Sequence, residues 1–228
     1  MWADALLILG AYFMGAIPVP YLLGRMRGVD LSQEEDMHIS LWRKVGRGEG
    51  LVGIAWDVIK GGVAVVIVDR ASDFAWGTVV GVGLAVIAGQ MWSVFHRFKG
   101  EKGNTTGLGV SMALAYEAWP FLLAPLLVGA AVRTLPRLLD STQSANERLK
   151  FGGPPSLSLP LGMLVAFALF PVGCWYTDQP RLTIVAGIVI LALIVVKRLT
   201  AGLRNDLETA MDKRRILLNR TLFDRSYV

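Results

Sequence analysis

Apolar residues fall in long blocks, and polar residues gather between them. The first block covers residues 5–24, ALLILGAYFMGAIPVPYLLG. About 20 helical residues at 1.5 Å each cross a hydrocarbon core of ~30 Å. Further blocks cover residues 51–69, 75–95, 108–132, 157–176 and 182–196. The pattern predicts an all-α, polytopic membrane helix bundle. Asp4 precedes the first block where a cleavable leader would carry basic residues, so this block reads as a span.

Charge decides how the blocks are threaded. Six simple crossings that start outside would leave the 133–155 loop and the tail outside, with twelve of the 23 Lys and Arg. Cytoplasmic loops carry the basic excess. If the chain enters and returns between residues 107 and 139, the loops near residues 36, 101 and 145 and the C-terminus all face the cytoplasm. The 25 residues of block 108–132 give only ~38 Å of helix, too little for two full crossings. The expectation is about seven segments, the fourth and fifth short or re-entrant, with residues up to Leu139 available to the pair. The location expected is a bacterial inner (plasma) membrane, with the N-terminus outside and the C-terminus cytoplasmic. Residues 1–202 read as the transmembrane domain. Residues 203–228 space Leu203, Leu207, Met211, Leu218 and Leu222 as in an amphipathic helix on the cytoplasmic surface.

Composition narrows the chemistry. Of the 228 residues, 54% are hydrophobic and 18% charged, against about a quarter charged in soluble domains. The net charge of +5 suits anionic headgroups, and nucleic acid is not expected. Cys174 stands alone inside an apolar block, and His38 and His96 are far apart, so no Cys/His metal spacing exists. Neither a metal nor an organic cofactor is expected.

The polar interruption FKGEKGNTTGLG, residues 98–109, carries the most chemistry. Gly100, Gly103, Gly107 and Gly109 permit positive φ and close backbone approach. Lys99 and Lys102 supply charge, and Thr105 and Thr106 supply hydroxyls. A helix starting near Thr106 would add its positive end. This loop is either a phosphate cradle at the membrane surface or a solvated connector. Asp57 and Lys60, three apart inside the second block, either line a cavity or form a structural ion pair near the rim. Gln90 has no basic nitrogen, so it can only orient a partner.

The stretch AGQMWSVFHRFKGEKGNTTGLGV, residues 88–110, resembles the second motif of the PlsY family of bacterial membrane acyltransferases, G-H-x-x-P-x-F-x-x-F-x-G-G-K-G-x-A-T. Gly89, Phe95, Phe98, Gly100, Lys102, Gly103 and Thr106 fit; Gln90 stands in place of His, Ser93 of Pro and Glu101 of Gly. GAYFMGAIPVPYLLGR resembles the first span, WDVIKGG the D-x-x-K-G second span, PSLSLP the S-L-S-S motif, and VKRLTAG the basic end of the last span. The family's first motif, G-S-G-N-x-G-A-T-N, is replaced by LSQEEDMHISLWRKVG, in which only Arg43 has a counterpart. The H-x-E-N of the last span is replaced by ALIV, residues 192–195.

The resemblance implies a seven-span protein that moves an acyl group from acyl-phosphate to glycerol 3-phosphate, giving lysophosphatidic acid for phospholipid synthesis. It implies catalytic roles for Arg43, Lys102 and Ser156. Gly100, Gly103, Thr105, Thr106, Gly107, Asp57, Lys60 and Gln90 would bind substrate. The missing motifs leave an alternative, a catalytically inactive or altered-substrate relative that binds lipid or phosphate and acylates glycerol 3-phosphate weakly or not at all.

Overall fold

The computed structural model describes residues 2–34, 36–71, 73–142, 157–209 and 212–225. Among these every regular element is a helix, and six helices are long and apolar enough to cross a membrane. Two compact units divide the chain: residues 1–116 with 179–186, and residues 117–178 with 187–228.

The first unit begins with α1, Trp2–Ala16, and α2, Val19–Met26, which together make one crossing. The break between them follows from chemistry. Pro18 and Pro20 lack the N–H groups that would bond Met14 and Ala16, and the Val19 amide turns to the carbonyl of Ile17 at 3.1 Å. The freed carbonyls of Gly15 and Ala16 need other donors at this depth. Lys60 Nζ donates to Gly15 at 3.1 Å, and Ser93 Oγ donates to Ala16 at 2.5 Å.

Between the first two crossings lies α3, Met37–Lys44, capped by Asp36, whose side chain accepts from the Ile39 amide. It buries Leu41 and Met37 against Leu31. Next come α4, Arg47–Arg70, and α5, Trp76–Met91, followed by a single 3-10 turn, Val94–His96. Arg97 and Phe98 both take positive φ, 52° and 61°, as the chain folds back over the end of α5.

The fourth segment is short, as the charge and length count predicted. Helix α6, Asn104–Leu114, has 11 residues, roughly 16 Å, half a hydrocarbon core. It packs against α4 through glycines. A methyl group on Gly109 would lie 1.9 Å from the Val58 carbonyl oxygen, and one on Gly61 would lie 2.4 Å from that of Thr106. Contacts this close are how helices associate where lipid removes the hydrophobic drive. Gly15 and Gly89 do the same between α1 and α5.

The second unit corrects the expectation for the fifth segment. Helix α7, Trp119–Leu139, has 21 residues and is a full-length span. Residues 107–139 are expected to divide into two short segments, but α6 ends at Leu114 and leaves 119–139 as one helix long enough to cross; Pro120 sits in its first turn, where no amide partner is needed, and Pro125 and Pro136 are absorbed within it. Helix α7 packs on α8, Ser158–Tyr176, with Ser158 Oγ donating to the Gly129 carbonyl at 2.8 Å. Helix α9, Arg181–Thr200, is the last span. The tail is two helices, not one: α10, Leu203–Thr209, and α11, Lys213–Phe223. Arg220, buried on α11, donates to Asp206 and to the carbonyls of Ala201 and Arg198. Arg198, fully buried, donates to the carbonyls of Thr221 and Pro160. Two guanidiniums therefore fold the tail back onto the end of α9.

Candidate functional site

In the first unit α4 carries two charges into its buried face. Asp57 and Lys60, only 1% and 3% exposed, form an ion pair of 2.6 Å. Three residues apart on a helix, they share a face. Lys60 also holds Gly15, so the pair ties α4 to the break in the first crossing. Gln90 reaches in from α5, its Nε2 donating to Asp57 Oδ2 at 2.6 Å and lying 3.4 Å from Thr105 Oγ1. Thr106 Oγ1 donates to the Asp57 carbonyl at 3.0 Å. Asp57, Lys60, Gln90, Thr105 and Thr106 are thus brought to one place.

The glycine loop is pressed against this cluster. A side chain at Gly100 would lie 1.9 Å from the Gln90 carbonyl oxygen. Gly103 takes φ +77° and starts α6 as its N-cap. Gly107 is buried in that helix's first turns, where its amide donates to the Gly103 carbonyl at 2.8 Å. The amides before it have no intrahelical acceptor. Lys102 is half-buried beside this end. Arg43 is exposed on α3, five positions and about 140° round the helix from His38. Ser156 lies outside the described residues.

Two members of the cluster escape a motif-by-motif reading. His38, from α3, places Nε2 3.0 Å from Asp57 Oδ2 and 2.6 Å from Glu101 Oε2. Burial works against a charged imidazole, but the Glu101 and Asp57 carboxylates outweigh it and hold His38 well above its usual range. A signal did exist. His38 lies in the stretch that replaces the first motif, Glu101 stands where the PlsY pattern has glycine, and Gln90 where it has histidine. These three departures meet at Asp57, so the imidazole absent from α5 is supplied by α3.

This arrangement defines an integral-membrane helix bundle with a glycine loop and a buried charge cluster that lines a small cleft. The cleft is lined by Ala16, Lys60, Ser93, His96 and Gly100 among others. Residues 5–205 match the family model for glycerol-3-phosphate acyltransferase, and the chain belongs to that family. The glycerol-3-phosphate acyltransferase of Trichlorobacter lovleyi is 31% identical over 215 residues, 89% of this chain and 96% of its own. That of a Synechococcus strain is 39% identical over 145 residues, 61% of this chain and 70% of its own. The crystal structure of PlsY in its glycerol 3-phosphate form superposes with a TM-score of 0.69 at 23% identity, covering 91% of this chain and 92% of that one, which establishes the shared fold.

Proposed function

We propose that this membrane acyltransferase transfers an acyl group from acyl-phosphate to glycerol 3-phosphate. The observation that carries the reading is the glycine loop, held by Gly100 and Gly103 against the Asp57–Lys60–Gln90 cluster. In the reaction a glycerol 3-phosphate hydroxyl attacks the acyl carbonyl. The new C–O ester bond forms as the acyl C–O bond to phosphate breaks, and the hydroxyl proton leaves with the phosphate. An activated donor needs positioning and charge stabilisation more than base chemistry. The first-turn amides of α6 and Lys102 bind a phosphate, and Arg43 and Ser156 add a cation and a hydroxyl. Asp57, Lys60, Gln90, Thr105 and Thr106 set the floor of the site, and Gly107 lets the α6 turn approach the substrate.

Contact between α3 and the glycine loop supports placing both on one side of the membrane, which the basic residues mark as cytoplasmic. The N-terminus is then outside, the membrane is the bacterial inner one, and residues 203–228 form the cytoplasmic end. No observation favours an inactive relative. The test is purified protein with acyl-phosphate and glycerol 3-phosphate, scored for lysophosphatidic acid. Product above a Lys102→Ala control is expected; its absence overturns the reading.

A further inference from the structure

His38, Asp57 and Glu101 come from three separate elements, yet each offers a ligand atom and all three atoms lie within 4.8 Å of one another. We propose that these three residues form a binding site for a divalent transition-series cation, zinc or manganese.

His38 brings one ring nitrogen to two carboxylates. One N–H serves one acceptor well, and here Nε2 has two carboxylate oxygens within 3.0 Å. Among the described residues neither Nε2 nor Glu101 Oε1 has a partner of hydrogen-bond geometry.

The rest of the cluster is arranged to support Asp57 as a ligand. Lys60 occupies Oδ1 at 2.6 Å, so Oδ2 is the oxygen turned to His38, and Gln90 steadies Oδ2 with its amide. Groups that bond a ligating carboxylate orient it for its ion. Charge agrees as well. With a neutral imidazole, Asp57, Glu101 and Lys60 leave one net negative charge in a buried place. One imidazole and two carboxylates suit zinc and manganese, whereas calcium and magnesium take all-oxygen sets.

The experiment uses the full chain in detergent, stripped with a chelator and dialysed against zinc or manganese alone, with bound metal counted by mass spectrometry. One ion per chain is expected. Glu101→Gln and His38→Gln should each weaken binding by at least about tenfold, while Glu49→Gln, which breaks the ion pair with Arg27 away from the cluster, should bind as wild type does. A cobalt-loaded sample gives a second readout, visible bands that shift in Glu101→Gln. If a glutamine variant fails to fold, the wild-type count and spectrum still decide. Wild type without bound metal, or both glutamine variants binding as wild type does, overturns the site. Because acyl donor and acceptor are absent, this outcome is independent of the acylation assay.

Discussion

His38 Nε2 and Glu101 Oε2 lie 2.6 Å apart, joining the helix after the first crossing to the glycine loop after the third. The contact closes over Asp57 on the helix between them. Any load on one of these groups is therefore felt by three elements.

The ion pair beneath that contact is buried, and its partners differ in what their loss leaves behind. Lys60→Met leaves Asp57 charged in a dry place and uncaps the Gly15 carbonyl, so it should cost about 3–5 kcal/mol. Adding Asp57→Asn removes the stranded charge and should restore much of the loss. Thermal unfolding of the two variants in one detergent checks this. Equal stability of the single and double variants would contradict it.

Glycine at the α4–α6 contact is required by distance. Gly109→Ala should force the two helices apart and cost about 1–3 kcal/mol, since its methyl would meet the Val58 carbonyl oxygen at 1.9 Å. Gly10→Ala, where nothing lies within 4 Å, should leave the melting temperature unchanged. A Gly109→Ala protein as stable as wild type would mean that the contact relaxes without loss.

At the loop, Lys102 and Gly103 are predicted to act on affinity. Losing one charge-assisted contact to phosphate costs about 1.5–3 kcal/mol, so Lys102→Ala should weaken glycerol 3-phosphate binding by roughly tenfold to a hundredfold. Gly103→Val should do at least as much, because φ of +77° disfavours a β-branched residue and the Met91 side chain fills the space. Lys99→Ala should do less. Titration of the solubilised variants gives the ranking, and a Lys102→Ala protein that binds as wild type does would make the loop a connector.

Orientation is testable from the exposed turns. In a Cys174→Ser background, cysteines at Gln33, Asp73 and Asp178 are accessible on the folded chain. Asp73→Cys and Asp178→Cys should react with an impermeant reagent added to intact cells. Gln33→Cys should react only after the membrane is opened. Labelling of Gln33→Cys from outside would invert the topology.

Residue order alone determined the spans, because partition into lipid depends on local apolarity and length. The same arithmetic identified the short fourth segment from too few residues between two basic loops. Family motifs marked Asp57, Lys60, Gln90 and the glycine loop, since these are contiguous patterns. Local pattern was less informative where the cost of a residue depends on its neighbours. The same length count made the fifth segment short, but α7 runs through residues 119–139 as a full span packed on α8. The tail's leucine spacing suggested one surface helix, but Arg198 and Arg220 fold it back as two through contacts with distant carbonyls. The departures from the family pattern flagged the stretch holding His38 together with Gln90 and Glu101, but did not place His38. Nothing near it in the chain names Asp57 or Glu101 as partners, and only the packing of α3 on α4 beside the end of α5 brings an imidazole and two carboxylates within reach of one another.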